Sequence, residues 1–430
     1  MQTTIITSTW QTILQYFFPA FTAPTAKIFA ALVTGWILCT ARRTITGIIS
    51  FADPINKRPH DTYHRFFPNA SWALSQLWKM LAMLLVRIFY PAGTIPTDLD
   101  DTLFHRAGPK VNGAAWWRDA VRSSDVMKVF SRGLNLVVLT LRIYPAWGGE
   151  PLGLPINMRL HRKGGPNHID LAESMLVELS QWLPQRRFLC HCDGFYTALI
   201  DRRPPTVHIV SRMRKDAILY GLPPQLDEPR PGRRRVRGDR LATPAQLAEG
   251  IRDYKMVRTV ERGKKRKRLV WSKTVIWYHV SRKPVVLVIS RDLTGKEKDD
   301  FFVTTDLSLS QQQVVGGFAG RWSIEDTFRN TKQFLGGQQP QTFVRAGPER
   351  AAGMSLWLYS VVWLWYLQQH SRAALPKLPW YRAKVRPSFA DALAALRRML
   401  WKQRIKCMFE GSVGHNKIPE YLIRALSYAA

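Results

Sequence analysis

Acidic residues are scarce in this chain: 31 Asp and Glu stand against 63 Lys and Arg in 430 residues, a formal net charge of +32. That imbalance points to a polyanionic partner, with nucleic acid the first candidate and an anionic membrane surface the second. Cysteine is scarce too. Cys39, Cys190, Cys192 and Cys407 make no disulfide framework in a chain of this length. Cys190-His191-Cys192 lacks a second ligand pair at zinc spacing, so it reads as part of an apolar strand rather than a metal site. Long apolar runs are missing. Residues 28–41 (IFAALVTGWILCTA), 80–86 and 354–367 (MSLWLYSVVWLWYL) all fall short of the ~20 residues of a membrane-spanning helix. The first and third read as helices buried in a large core, and no membrane partner is expected. The N-terminal MQTTIITSTW has no basic n-region of a signal peptide, which predicts a cytoplasmic location. No internal repeat and no long low-complexity tail are present.

With 46% hydrophobic and 22% charged residues, the remaining composition is that of an ordinary folded protein, long enough for two or three domains. Residues 1–90 read as helical, with apolar stretches at 10–18, 26–39, 43–51 and 71–89 and a basic turn at 56–65 (NKRPHDTYHR). This helical unit, rich in basic and aromatic residues, is a candidate DNA-binding domain, although it shows no helix-turn-helix pattern. From residue 94 the pattern changes to strands. TIPTDLDDTLF (94–104), LVVLTLRIY (136–144) and LPINMRLH (154–161) are followed by a helix at 169–182, a strand RFLCHCD (187–193), a short helical stretch and a strand TVHIVSR (206–212). Three strands followed by alternation predict a mixed sheet flanked by helices. Residues 222–300 read as a basic β-rich insertion. It carries the Arg233-Arg234-Arg235 run and the KKRKR run at 264–268, which reads as a solvated loop or hairpin tip. Both runs, with Lys264, Lys265 and Arg266, are candidates for phosphate contact. The C-terminal region, 346–430, reads as helical, with helices at 350–368 and 388–403, the latter opened by a Ser-Phe-Ala-Asp capping box.

Three acids stand out by position. Asp100 belongs to an acidic cluster in which Asp98 and Asp101 are alternatives for the same role, Asp193 ends a strand, and Glu325 lies in FAGRWSIEDTFRNTK (318–332). If that last stretch is one helix, Phe318, Arg321, Glu325 and Lys332 share a sector of roughly 60°. Ser323 is an alternative helix cap that would place Arg321 just outside. Three converging carboxylates can hold two divalent cations ~4 Å apart, and Mg²⁺ suits oxygen ligands facing phosphates.

The order of strands resembles the ribonuclease-H-like topology, and the motifs resemble those of a bacterial insertion-sequence transposase of the DDE superfamily, in the group with a β-strand insertion before the catalytic Glu. Asp100-Asp101-Thr102 is similar to the first motif of that group and Asp193-Gly194-Phe195-Tyr196 to the second. Arg321, Glu325 and Lys332 match its signature of Tyr, two residues, Arg, three residues, Glu, six residues, Lys, within an RW-x-IE context. Phe318 takes the Tyr position and lacks the hydroxyl that holds a phosphate in relatives that process ends through a hairpin.

The resemblance implies an α/β protein. Its ribonuclease-H-like mixed sheet, flanked by helices, would occupy 91–221 and 301–345, with a β-rich insertion at 222–300, an all-α N-terminal domain and an α-helical C-terminal region. It implies Asp100, Asp193 and Glu325 as ligands of two Mg²⁺ or Mn²⁺ ions, with Arg321, Lys332 and Arg329 on phosphates and Trp271 or Trp277 as candidates to stack on a flipped base. Trp residues in a β-rich unit are also ordinary core residues. The implied activity is cleavage of double-stranded DNA at the element's terminal inverted repeats and joining of 3′-hydroxyls to target DNA, by a homodimer in the bacterial nucleoid. A metal-dependent nuclease on the same fold, or a catalytically silent DNA-binding descendant, are the alternatives.

Overall fold

The computed structural model describes residues 9–224, 235–261, 263–370 and 384–409. The N-terminal part folds as α1 (Trp10–Tyr16), α2 (Ala23–Leu38), α3 (Ile45–Ala52), α4 (His60–His64) and α5 (Leu74–Phe89). Thr9 and Thr44 start α1 and α3 by accepting from the Thr12 and Gly47 backbone N–H groups. Helix α4 corrects the expectation of a plain turn across 56–65. Asp61 in its first turn and His64 in its last suit the helix dipole, a cue hidden by the surrounding basic residues. These helices share one core with the rest of the chain. The rings of Phe17 and Phe29 meet Trp357 edge-on, at 4.8 and 5.4 Å. Trp36 Nε1 donates to the Leu335 carbonyl at 2.7 Å, and Arg397 Nε donates to the Ile37 carbonyl at 2.7 Å.

A ten-stranded mixed sheet runs through the molecule. β1 (Ile95–His105), β2 (Ala115–Arg118), β3 (Phe130–Ile143) and β4 (Leu152–His161) precede α6 (His168–Trp182), and β5 (Phe188–Cys192), α7 (Leu199–Arg202) and β6 (Val207–Arg212) follow. Strand β3 pairs with β1 along one side, and β2 and β4 share its other side. β5 then adds to β1 in parallel, and β6 to β5. The helix α6 begins with a capping box between Asn167 and Asp170. Strand β2, only four residues long, is too short to show a period in the sequence.

The 222–300 segment is continuous with this sheet. After α8 (Pro244–Gly250) come β7 (Lys255–Glu261), β8 (Lys264–Ile276), β9 (Pro284–Asp292) and β10 (Asp300–Thr304), and β10 pairs with both β6 and β9. The KKRKR run begins strand β8 at the turn end of the β7–β8 hairpin, which matches the hairpin alternative and not the loop. Residues 264–267 are exposed and pair with β7 alone, whereas Arg268 is buried and bonded to Glu261. A strand that projects past its neighbours needs no apolar face, which is why its charges resembled a loop.

The chain then forms α9 (Gln311–Gly320), α10 (Ser323–Phe334), α11 (Gly347–Gln369) and α12 (Phe389–Phe409). Helix α11 is buried from Ala351 to Tyr366 on every side, the signature of a helix inside a large core. Among the described residues no helix is long and apolar enough to cross a membrane. The 318–332 stretch is two helices instead of one. At the junction Arg321 and Trp322 keep helical torsions but bond i to i−3, to Phe318 and Ala319, a 3₁₀-like tightening that sequence alone does not mark. Ser323 does not cap; Trp322 holds the cap position, and Ser323 Oγ donates to Asp98 Oδ2 at 3.3 Å.

Side chains alternate along β1, so Asp98 and Asp100 face α9 and α10 while Asp101 faces α6. Asp98 is fully buried with Arg142 of β3, whose Nε donates to Oδ2 at 3.1 Å and whose Nη2 pairs with Oδ1. Arg142 Nη1 also donates to the Gly317 carbonyl at 2.7 Å, tying α9 to the sheet. Replacing Arg142 with Met would leave Asp98 buried without its counter-charge, and should cost roughly 3–5 kcal/mol of stability in denaturant unfolding. The double replacement with Asp98→Asn should recover a large part of that loss.

Candidate active site at the strand ends

The pairing of β1 with β5 fixes two acids side by side. Leu99 opposite Cys192 is the last pair; β5 ends there, so Asp100 and Asp193 are the next residues of adjacent parallel strands. Asp193 is exposed and opens a 3₁₀ turn, accepting from the Gly194 N–H at 2.6 Å, while its carbonyl accepts from Ser211 Oγ at 2.9 Å. Asp100 is half-buried, and Arg321 Nη1 lies 2.5 Å from its Oδ2. Burial pushes the Asp100 pKa up to about 6, with Arg321 opposing and the neighbouring Asp101 adding to the rise.

Arg321 links the acids. Its Nη2 is 3.7 Å from Glu325 Oε1, one turn further along α10. Burial alone would lower its pKa, but the negative charges of Asp100, Asp193 and Glu325 together hold it above the ordinary value. The helix junction makes this placement, since it leaves Arg321 at the end of α9 and Glu325 in the first turn of α10. Phe318 lies under the guanidinium, 5.5 Å from it, with Arg212 at 5.5 Å from the same ring and Phe302 at 4.9 Å. A phenyl ring supports both cations without any hydroxyl.

The three acids of the first motif separate by environment. Asp98 is committed to Arg142 in the core. Asp101, on the opposite face, accepts from the Tyr196 hydroxyl at 3.3 Å and lies 4.0 Å from His168 Nε2, and burial raises its pKa. Asp100 alone shares a cation with Glu325. The other expected residues are more dispersed. Arg329 is exposed and paired with Asp326 at 2.7 Å. Lys332 is half-buried, 5.7 Å from the Phe104 ring, and burial lowers its pKa while Asp119 opposes. Lys264, Lys265 and Arg266 are exposed on the β7–β8 hairpin, where Arg266 meets Glu297 at 3.2 Å, and Arg235 is exposed. Arg233 and Arg234 lie outside the described residues. Trp277 is 6% exposed within the main core, which leaves its ring to protein neighbours, and Trp271 is half-buried against the same core.

Arg212 is the residue that sequence reasoning missed. Cys192 pairs with Ser211, so Arg212 follows Asp193 at the next strand end, and it contacts Asp300 at 3.2 Å. The strand ending TVHIVSR carried the signal, had its register beside RFLCHCD been considered. A groove of about 630 Å³ opens here, lined by Asp193, Arg212, Lys264, Arg266, Arg321 and Trp322 among others. Among the described residues no three His, Cys, Asp or Glu side chains stand close enough to hold a metal ion; the acids meet through Arg321. Their chemistry still fits divalent cations: the donors are all carboxylate oxygens, and the Asp100–Arg321 contact shows a half-buried acid drawing a positive charge.

Two acids side by side where β5 ends against the middle of β1, with a third acid on a nearby helix, suit a hydrolytic or phosphoryl-transfer centre better than a binding module. The family model described as DDE superfamily endonuclease matches residues 16–283, and the chain belongs to that family. The matched span includes Asp100 and Asp193 and stops before Glu325. Among solved structures, the cryo-EM structure of a piggyBac transposase synaptic complex with hairpin DNA is similar over 94% of this chain and 76% of that one, at 11% identity and a TM-score of 0.39. No curated protein matches.

The raised Asp100 pKa has a consequence for stability. A carboxyl at about 6 in the folded chain, against about 3.9 unfolded, favours folding in its protonated form. That contribution is complete below the unfolded value and lost as pH rises through about 6. Asp100→Asn, permanently neutral, should therefore exceed the wild type in thermal stability near pH 8, and the gap should close as pH falls toward about 4.

Proposed function

We propose that the chain is a DNA transposase with a ribonuclease-H-like catalytic core. It binds the terminal inverted repeats of its element, cleaves at the ends and joins the freed 3′-hydroxyls to target DNA. The observation that carries this reading is the register that sets Asp100 beside Asp193, with Arg321 bonded to the first and facing Glu325. Family membership supports the nuclease chemistry, and the net charge of +32 supports a nucleic-acid substrate.

Asp100, Asp193 and Glu325 would hold two Mg²⁺ or Mn²⁺ ions. Divalent cations bound there supply Lewis acidity at the phosphate and a lowered pKa for an attacking water or hydroxyl. The chain's own cations do the positioning. Arg321 and Arg212, each 5.5 Å from the Phe318 ring, present guanidinium donors suited to phosphate oxygens at the mouth of the groove. Lys332, further along α10 beside Phe104, would take a neighbouring phosphate. The exposed cations at 264–266 extend the contact along the duplex. Because Phe318 has no hydroxyl, any hairpin intermediate would rely on Arg321 and Lys332 alone. Synapsis of two ends calls for a homodimer, acting at the bacterial nucleoid in the cytoplasm.

Glu325→Ala tests the reading directly. The variant should bind duplex DNA as the wild type does, while Mg²⁺-dependent cleavage falls by on the order of a thousandfold or more. Unchanged cleavage would remove Glu325 from the centre. With precut ends, covalently joined products distinguish a transposase, whereas cleavage without joining would reduce the activity to that of a nuclease.

A further inference from the structure

The β2–β3 hairpin carries a cluster of exposed apolar side chains that neither the core nor the acid site uses. Val121 and Val126 are 90% and 98% exposed, and Trp116, Met127 and Phe130 are each about 60% exposed. Single exposed apolar residues are ordinary on a surface; a group of them on one projecting element is not. The tip is also braced. The Asp119 N–H donates to the Val129 carbonyl, the Ser124 N–H to the Met127 carbonyl and the Val129 N–H to Ser123 Oγ, at 2.9 to 3.0 Å. Asp119 is buried beneath the tip, held by His105 Nε2 at 2.8 Å and Ser131 Oγ at 3.0 Å.

Register places this tip on the same end of the sheet as the acids. β1 continues past Asp100, opposite Val138, to His105, opposite Gly133, and β3 runs back to Phe130 opposite Arg118. The hairpin therefore reaches roughly 25 Å beyond the level of Asp100, eight residues at about 3.3 Å each. The β7–β8 hairpin, with its exposed cations, projects from the other side of the sheet at the same end. The strand ends thus lie between two projecting arms, one basic and one apolar, the latter with three exposed cations, Arg118, Arg122 and Lys128, against one exposed acid, Asp125.

We infer that the β2–β3 hairpin is a DNA-contacting wedge, its cations on the phosphates and its apolar tip against partly unstacked bases of the duplex held at the strand ends. This rests on the reading of the chain as a DNA enzyme. The excess of cations selects the occupant: a second copy would set three exposed cations and one acid against the same set, whereas a duplex offers phosphates to the cations and base faces to the apolar groups.

The test uses the full-length chain, the Val126→Ser/Met127→Ser double variant, and a random-sequence duplex carrying 2-aminopurine. Both substituted side chains are exposed, so folding should be unaffected, which circular dichroism checks. Wild-type binding should raise 2-aminopurine fluorescence as bases unstack. The variant should lose that rise and bind about tenfold more weakly, with an unchanged salt slope because its cations remain. Binding by the wild type without a fluorescence rise, or a rise and an affinity that the variant retains, overturns the wedge and leaves the DNA-enzyme reading standing. Absence of wild-type DNA binding overturns that reading and the wedge with it. A dimer lost in the variant by light scattering, with DNA binding unchanged, assigns the tip to a second copy and overturns the wedge as well.

Discussion

The buried ion pair between Asp98 and Arg142 is the contact on which the geometry of the site depends. It joins β1 to β3, reaches the Gly317 carbonyl on α9, and receives Ser323 from α10. Both helices flanking the 321–322 junction are thereby fixed to the sheet directly beneath Asp100. A buried pair of this kind is weak evidence for net stability, because desolvation opposes the attraction. Its contribution here is to placement: with α9 and α10 anchored separately, the junction between them holds Arg321 over the acids. His191 lies in the same layer, fully buried, with its pKa far below the ordinary value because of burial and the Arg142 charge. A neutral imidazole there leaves the charge balance of the layer to Asp98 and Arg142.

At the site the acids outnumber the cations beside them, the reverse of the chain as a whole. Asp100, Asp193 and Glu325 surround one guanidinium, and the second, Arg212, is shared between Asp300 and the Phe318 ring. A ring in contact with both guanidinium groups, each 5.5 Å from its centre, gives the two cations a shared apolar support. The Phe at position 318, which the motif alone marks as a departure, is therefore the physical support for the two arginines at the groove.

Much of the layered architecture was legible because its strands are β-branched apolar runs that must be covered on both faces. The β3 and β6 strands read clearly for that reason, and so did the long apolar helix 347–369. What could not be read was set by pairing. In DLDD the three acids are equivalent by composition, and only the register against Thr140 and His191 sends Asp98 into the core and Asp101 to the far face. The helix junction was hidden because its residues all have ordinary helical torsions and differ only in hydrogen-bond partner. The KKRKR strand was hidden because it lies outside the buried width of the sheet. Arg212 was missed for the converse reason: its local sequence is plain, and its neighbour Asp193 is distant in the chain.

The pairing of β10 with β6 makes the sheet a ruler. From β1 to β8 the order passes through β5, β6, β10 and β9, five steps of about 4.8 Å, or roughly 24 Å measured along the sheet. At about 3.4 Å per nucleotide of one strand, that span corresponds to roughly seven phosphates. A basic segment carried on a tether would sample many distances from the acids. Here the separation is set by backbone hydrogen bonds, so lengthening the loops of the 222–300 segment would leave it unchanged, whereas inserting or deleting a strand would alter it by a fixed increment.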